Sequence, residues 1–332
     1  MNVIYSSSDE YSELAGVSIL SLLENNKNID EIEIYIVDKN ISECNKRNLE
    51  SIALQYRRNL HFLENVNIEA ISETKINVGR WHISTFSRLF ILEVLPPNIK
   101  KIIYIDCDTI IRDSLKNLWN TDMQDAWVMG VDDCRGFRYR KDIGLHEDSI
   151  YINNGIIVID IEAWVKNNVE DMFIKFIQEN NGDITYVDQG VLNGVLGVQN
   201  RMKLLPVRYN AQTIYYDLGY RGLTACRNPV WAYSKEEFNS GISAPTIVHF
   251  TTFFLSGTRP WFEKDNHPYR NEFLQYRELT PWGKEPLWKD PTSKSKKLMI
   301  KILKILPRSI MFFVIRVGHS LIYPILRGIK RK

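Results

Sequence analysis

The stretch KIIYIDCD, residues 101–108, decides the fold because it joins an apolar run to two carboxylates. The four apolar residues after Lys101 predict a buried strand that ends at Asp106 and Asp108. Side chains two residues apart on an extended segment point the same way, so the two carboxylates can bind one hard divalent cation. An Asp-x-Asp triplet occurs by chance roughly once in a chain of this size. Chance or a capping role therefore stays open as the alternative.

Strand and helix patterns alternate on the N-terminal side of this stretch. Apolar runs predict strands at residues 3–5, 32–37 and 60–63, and helical spacing predicts helices at residues 11–23 and 42–56. This order predicts an α/β fold with a mostly parallel central sheet covered by helices.

Polar residues flank two further predicted strands on the C-terminal side. These strands are residues 127–131, which lead into Asp132 and Asp133, and residues 155–160. Ligands of open α/β sheets bind beyond the carboxyl ends of the strands, so we expect the functional site there. Residues 205–261 are rich in aromatic side chains and are predicted to be loop-like, apart from a short strand that ends at His249.

His249 is a candidate third metal ligand. A single histidine after an apolar strand is more often structural than a ligand, so both interpretations stay open. Beside Asp106 and Asp108 it would favour Mn²⁺ over Mg²⁺, because imidazole is a poor ligand for Mg²⁺.

The composition is typical of a globular protein with reduced cysteines. Hydrophobic residues make up 44% and charged residues 25% of the 332 residues, which is ordinary for a soluble domain. The four cysteines form no C-x-x-C pair. We therefore expect a reducing compartment, with neither a disulfide framework nor a zinc site. The N-terminus lacks a basic region followed by a long apolar stretch, so we expect no signal peptide.

Charge is distributed unevenly along the chain. The net charge is +2, but residues 294–332 hold eleven of the 42 basic residues and no acidic residue. The preceding residues form an acidic body, and several prolines break up its last part. We expect a main domain at residues 1–262, a Pro-rich linker or subdomain at residues 263–293, and a separate tail at residues 294–332.

The tail alternates apolar and basic residues. Its uncharged runs, residues 309–315 and 317–326, are shorter than the roughly 20 residues of a membrane span. Basic amphipathic segments lie in the membrane interface, held by apolar burial and anionic lipid. A helix packed on the body and a nucleic-acid-binding arm are the alternatives. The apolar content, including Phe312 and Phe313, argues against the arm, so we expect an anionic membrane surface and no nucleic acid as partner.

Eight segments together resemble the retaining glycosyltransferases of family 8, which include bacterial lipooligosaccharide galactosyltransferases and the glycogenins. The resemblance runs from Val3 to about Trp261, and its specificity lies in the order and spacing of the segments. They are residues 4–11, 82–89, 103–108, 118–119, 151–155, 187–193, 209–210 and 249–250, the last leading to Pro260–Trp261. The resemblance implies a GT-A fold, a single Rossmann-like nucleotide-binding domain, as the catalytic domain.

The resemblance also implies roles for individual residues. The implied metal ligands are Asp106, Asp108 and His249, and the implied uridine pocket consists of Ser6, Ser7 and Asp9. Contacts to the rest of the donor are implied for His82, Arg88, Asp106, Asn153, Asn154, Gly155, Asp188, Gly257 and Arg259. At the reacting carbon, the implied catalytic residues are Gln189 and Asp188, and Asp132 corresponds to a residue that faces the acceptor. The structural alternative for Asp188 is the N-cap of the helix that follows.

The chain departs from the family pattern in two places. Ser8 stands where the family often has an acidic residue that contacts the uracil, so Asp9 or the backbone is expected to make that contact. The segment from His249 to Trp261 is longer than usual, and Arg259 replaces the family lysine. Arginine keeps the positive charge and can bind phosphate with two parallel hydrogen bonds.

The resemblance implies transfer of galactose or glucose from a UDP-sugar, with Mn²⁺ or alternatively Mg²⁺ as cofactor. We expect a saccharide acceptor, lipid-linked, in lipopolysaccharide or capsule synthesis, and a cytoplasmic enzyme attached peripherally to the inner face of the plasma membrane. The family retains the anomeric configuration. Because the amide of Gln189 is a poor nucleophile, a front-face route is favoured, with a covalent intermediate on Asp188 as the alternative.

Two other classes of function compete with this interpretation. Residues 104–109 also match the Asp-x-Asp-x-Thr motif of haloacid-dehalogenase phosphatases, although that motif usually lies near the N-terminus. Hydrolysis of p-nitrophenyl phosphate distinguishes this class. A non-catalytic lipid- or carbohydrate-binding protein is the other class, and it would not cleave a sugar nucleotide in the presence of manganese.

Overall fold

The computed structural model describes residues 1–64, 67–79, 83–253 and 259–318. Within these residues there are ten strands: β1 (Asn2–Ser8), β2 (Glu33–Lys39), β3 (Asn59–Leu63), β4 (Lys101–Ile105), β5 (Thr109–Ile111), β6 (Val128–Asp132), β7 (Ile152–Asp160), β8 (Met202–Leu204), β9 (Ala211–Gln212) and β10 (Ile247–His249).

The same residues contain thirteen α-helices. They are α1 (Ser12–Asn25), α2 (Glu43–Gln55), α3 (Ile68–Ser72), α4 (Lys116–Trp119), α5 (Phe137–Lys141), α6 (Ile161–Lys166), α7 (Val169–Glu179), α8 (Val187–Val198), α9 (Thr213–Arg227), α10 (Lys235–Ser243), α11 (Arg270–Glu278), α12 (Lys294–Ile305) and α13 (Arg308–Val317).

Seven strands form the central sheet in the order β3-β2-β1-β4-β7-β6-β8. Strand β7 runs antiparallel to β4 and β6, and the other neighbouring pairs are parallel. Alternate side chains of β1 enter different cores: Val3 and Tyr5 lie on one face of the sheet and Ile4 on the other. Both faces are therefore covered by packed apolar side chains. The predicted α/β fold with a mostly parallel sheet is confirmed.

A small second sheet, in the order β5-β10-β9, brings two distant parts of the chain together. Strand β5 begins directly after Asp108 and pairs antiparallel with β10, so that Thr109 lies opposite His249. This pairing positions the late histidine beside the carboxylate pair.

The loop-like prediction for residues 205–261 is wrong for two segments, which form helices α9 and α10. Helix α9 buries Ile214, Tyr215 and Leu223, and it is kinked at Gly219, where φ is 61°. Helix α10 begins with a capping box, in which Ser234 and Glu237 each accept a hydrogen bond from the other's backbone N–H.

The proline-rich region after residue 262 contains helix α11, which packs on the body. Phe273 belongs to the main core, and Arg277 forms a buried ion pair with Glu13 of α1. These contacts join α11 tightly to the first helix of the chain.

The tail forms two helices separated at Pro307. Met311 of α13 packs in a small apolar cluster with Leu218 of α9 and with Phe253. None of the helices within the described residues is both long and apolar enough to cross a bilayer.

Candidate active site

The three predicted metal ligands lie together. Each offers one ligand atom, and these atoms lie within 4.8 Å of one another. The Nε2 atom of His249 is 3.2 Å from Oδ1 of Asp108 and 3.7 Å from Oδ2 of Asp106. The other ring nitrogen, Nδ1, lies 3.0 Å from the amide oxygen of Asn210, which can only accept a hydrogen bond. Asn210 thus directs Nε2 toward the two carboxylates, because a hydrogen bond to one ring nitrogen fixes the orientation of a metal-binding histidine.

The residues at this position fit a divalent cation. Two carboxylates and one imidazole form a donor set suited to a divalent metal ion. Burial raises the pKa of Asp108, but His249 and Arg259 outweigh this effect and bring the pKa to about 2. A Cβ atom on Gly155 would lie 2.3 Å from the His249 ring and 2.7 Å from Asp106, so glycine keeps the space open.

Arg88 connects the metal cluster to Asp188. Its guanidinium lies 3.0 Å from a carboxylate oxygen of Asp106 and 3.0 Å from one of Asp188. It also donates to the backbone oxygen of Asn154 and lies over the ring of Tyr104. Burial lowers its pKa, and the surrounding acidic groups outweigh this effect. Arg88 is therefore a fixed positive charge between two candidate donor-binding carboxylates.

The side-chain amides of Asn153 and Asn154, on strand β7, line the cavity. The strand begins at Ile152, three residues before the predicted strand, so Asn153 and Asn154 belong to the strand itself. Asn154 donates to Asp188 over 2.6 Å, and Asn153 donates to Gln189 over 3.2 Å. The two asparagines therefore orient the two candidate catalytic side chains.

Both the nitrogen and the oxygen of the Gln189 side-chain amide form hydrogen bonds. Its nitrogen donates to Asp133 over 3.1 Å and to the Tyr151 hydroxyl over 3.3 Å, and its oxygen accepts from Asn153. Asp188 lies in the first turn of α8 and is not its N-cap, because the helix begins at Val187. Burial raises the pKa of Asp188, while Arg88 opposes this effect.

These side chains line a cavity of about 270 Å³. The predicted site residues Arg88, Asp106, Asp108, Asn153, Asn154, Asp188, Gln189, His249 and Arg259 all line it. Arg259 donates to Asp108 over 2.9 Å. The cavity also includes residues that the sequence analysis did not single out, among them Thr85, Asp133, Arg135, Tyr186 and Arg227. Thr85 lies in the family-like segment 82–89 and Asp133 directly follows Asp132, whereas no local motif marks Arg135, Tyr186 or Arg227.

The three residues predicted for the uridine pocket lie at the end of β1. The Ser6 hydroxyl is buried and has no hydrogen-bond partner among the described residues. The Ser7 hydroxyl donates to the backbone oxygen of Ser8. The exposed Asp9 carboxylate accepts hydrogen bonds from Ser42 and Asn45 at the start of α2.

Asp132 does not line the cavity. It is fully buried and forms an ion pair with Arg140 over 3.2 Å. Burial raises its pKa to about 7, against the opposing effect of Arg140. The next residue, Asp133, lines the cavity in its place. His82 and Gly257, two further predicted donor-binding residues, lie outside the described residues.

Comparisons with known proteins agree with this architecture. The model of glycosyl transferase family 8 matches residues 2–265. General stress protein A of Bacillus subtilis (strain 168) is 29% identical over 289 residues, which cover 85% of this chain and 95% of that protein. Lipopolysaccharide 1,2-glucosyltransferase of Escherichia coli is 23% identical, covering 86% of this chain and 80% of the relative.

A solved structure shares the fold. Galactosyltransferase LgtC, in complex with donor and acceptor sugar analogues, matches with a TM-score of 0.70 at 22% identity, covering 85% of this chain and 96% of LgtC. The sheet with its carboxylate pair at the end of β4 therefore has the GT-A fold of a glycosyltransferase. Because the family match covers most of the sequence, this chain belongs to glycosyl transferase family 8. Membership favours the glycosyltransferase interpretation over the phosphatase.

Proposed function

We propose that the protein is a retaining hexosyltransferase that moves galactose or glucose from a UDP-sugar to a lipid-linked saccharide of a cell-surface polysaccharide. Family membership supports the transfer reaction, and relatives named as lipopolysaccharide glucosyltransferases support the acceptor class. One observation carries the proposal: Asp106, Asp108 and His249 share a cavity with Arg88 and Asp188.

Asp106, Asp108 and His249 would hold Mn²⁺, with Mg²⁺ as the alternative. A bound cation supplies a Lewis acid that offsets the negative charge of the diphosphate leaving group. Arg88 and Arg259, each paired with one of the two aspartates, add fixed positive charge at the same end of the cavity.

We assign the remaining donor-binding residues to the nucleotide or the sugar from where they lie in the structure or in the family-like segments. Two buried hydroxyls without a partner among the described residues, Ser6 and Thr85, would bind the nucleotide. Ser7, Asp9, His82 and Gly257 keep the donor-binding roles that the resemblance implies. Asn153, Asn154 and Gly155 would form the floor beneath the sugar, since they belong to the strand that crosses the cavity.

The arrangement around Gln189 favours a front-face route. Its amide is held by Asp133, Tyr151 and Asn153, so it can stabilise a positively charged sugar ring without forming a bond to it. Asp188 contacts Arg88 and Asn154 through the same oxygen, Oδ2, and we assign its Oδ1 to a sugar hydroxyl. The acceptor hydroxyl then attacks from the side on which the diphosphate leaves, and a phosphate oxygen takes its proton.

We assign the tail to an anionic membrane surface on the cytoplasmic side. The two tail helices expose large apolar side chains, among them Leu298, Ile302, Ile305 and Phe313, next to a high density of basic residues. This combination is typical of interfacial helices, and it would bring the enzyme to a lipid-linked acceptor.

Release of UDP from UDP-galactose and UDP-glucose tests the proposed function. We expect manganese-dependent hydrolysis by the whole protein, abolished by excess chelator, and a loss of at least about 100-fold in Asp108→Asn. Asp125→Asn is a matched control, because Asp125 is 80% exposed in a surface ion pair far from this chemistry. Full turnover in excess chelator, or cleavage of no sugar nucleotide, would contradict the proposal.

A further inference from the structure

The charges that line the cavity are paired at one end and unbalanced at the other. At the metal end, each aspartate and arginine has a partner of opposite charge: Arg88 with Asp106 and Asp188, and Asp108 with Arg259. The other end of the cavity lies beyond Asn153 and Gln189. There a single carboxylate, Asp133, lies near two arginines, Arg135 and Arg227. That end therefore carries one surplus positive charge.

Both carboxylate oxygens of Asp133 accept hydrogen bonds from groups other than Arg227. The Asp133 side chain is 1% exposed, and its Oδ2 atom accepts from Arg135 over 2.5 Å and from Gln189 over 3.1 Å. Its Oδ1 atom lies 3.4 Å from the amide nitrogen of Asn153. Arg227 instead donates to the backbone oxygen of Asp133 over 3.2 Å, and it forms no ion pair with a carboxylate of the described residues.

Arg227 is a cation that shares the nearby carboxylate of Asp133 with Arg135 and forms no salt bridge of its own among the described residues. A guanidinium has five N–H donors, and the backbone contact uses one of them. Burial lowers the pKa of Arg227, the guanidinium of Arg135 lowers it further, and the carboxylate of Asp133 opposes both effects only in part. Two like charges in a partly buried site repel each other, and a bound anion would relieve this repulsion.

The neighbouring guanidinium is fixed in place. Arg135 donates to the Tyr186 hydroxyl over 2.9 Å and lies over the Tyr186 ring at 4.5 Å. Tyr186 and the β-branched Val187 both have positive φ, 62° and 48°. Such backbone is unfavourable for these residue types, and it persists only where the surroundings enforce it. Tyr186 therefore fixes the guanidinium of Arg135 in the cavity that Arg227 also lines.

We propose that Arg227, together with Arg135, binds a phosphate or carboxylate group carried by the acceptor saccharide. Paired guanidinium groups suit both anions, because each can donate two parallel hydrogen bonds. The metal cluster and Arg88 occupy the donor end, so the surplus charge faces the part of the cavity left for the acceptor. This inference rests on the proposed function and narrows its acceptor to an acidic or phosphorylated saccharide.

Titration calorimetry on the full chain with Mn²⁺ and UDP tests the inference. Glucose 6-phosphate and glucuronic acid are the anionic probes, glucose is the neutral probe, and inorganic phosphate tests for an anion site without sugar recognition. We expect both anionic sugars to bind at least about tenfold more tightly than glucose and more tightly than phosphate. Arg227→Gln should remove this preference, Arg227→Lys should retain part of it, and Arg221→Gln, an exposed charge on the same helix, should keep all of it.

Three results would overturn the inference. The first is equal binding of glucose and glucose 6-phosphate, and the second is an unchanged preference in a folded Arg227→Gln protein. The third is evidence that Arg227 binds the donor and not the acceptor. Arg227→Gln would then raise the KM for UDP-sugar hydrolysis by a larger factor than it weakens glucose 6-phosphate binding, or it would abolish a preference for UDP-glucuronic acid as donor. Absence of UDP-sugar hydrolysis by the wild-type protein would instead contradict the proposed function.

Discussion

Gly155 determines whether the candidate metal site has room for an ion. We expect Gly155→Ala to lower kcat/KM for donor hydrolysis by about 10- to 100-fold, because the new methyl group would displace the His249 ring and Asp106. The apparent Mn²⁺ affinity should fall with it, as measured by activity against metal concentration. Gly318→Ala is the control, since nothing lies within 4 Å of a Cβ atom there. Unchanged manganese dependence in Gly155→Ala would contradict this role.

Individual site residues could be predicted from the sequence only where a local pattern marked them. Asp106 and Asp108 follow an apolar run, whereas Arg227 lies on a helix that the sequence did not reveal. Whether Asp132 or Asp133 faces the cavity depends on which alternate side chains of β6 point toward it. The register of β6 against β7 shifts after Gly130, and such an irregularity changes which side chains face the cavity.

At the level of elements, strands and their order were predictable but one strand direction was not. The alternation of strands and helices predicts parallel neighbours, and β1, β2 and β4 follow it. Strand β7 has the same apolar pattern as a parallel strand, and its antiparallel direction depends on the path of the preceding loop. Aromatic residues and Gly219 conceal the apolar spacing of helix α9, so the sequence pattern does not predict it. Helix α10 does carry a sequence signal, the capping box of Ser234 and Glu237.

Helix α11 is attached to α1 by a buried ion pair that we expect to be important for stability. Arg277 and Glu13 are 5% and 8% exposed, and Trp288 also donates to Glu13. Arg277→Met leaves a buried carboxylate without its cation, so we expect the free energy of unfolding in urea to fall by about 3–5 kcal/mol. The double variant Glu13→Gln with Arg277→Met should lose less, because it leaves no unpaired charge.

An exposed ion pair provides the comparison for this prediction. Asp125→Ala breaks the pair with Arg201, whose side chain is 38% exposed, and should cost at most about 1 kcal/mol. Equal small losses in Arg277→Met and Asp125→Ala would show that α11 contributes little to the stability of the body. In that case residues 263–293 would behave as a linker.

For the whole molecule, the sequence divides the charge between an acidic body and a basic tail, and the fold places the tail near the cavity. Helix α13 packs on α9, which carries Arg227 at its end, and contacts Phe253, which lines the cavity. A membrane surface bound by the tail would therefore lie close to the site of transfer. This arrangement connects the proposed lipid-linked acceptor with the proposed anion site.

Membrane binding can be tested with the full chain by changing two exposed apolar residues of the tail. Ile305 and Phe313 are 75% and 67% exposed. Burial of such side chains in an interface contributes about 1.5–3 kcal/mol each, so Ile305→Glu with Phe313→Glu should weaken binding to vesicles containing anionic lipid by at least about 100-fold. Leu54→Glu is the matched control, because Leu54 is 70% exposed on α2 and its replacement should not change vesicle binding.

Cosedimentation at two salt concentrations measures vesicle binding, and donor hydrolysis in solution should persist in every variant. If the double variant sediments with the vesicles as well as the control does, the tail does not bind the membrane through these helices.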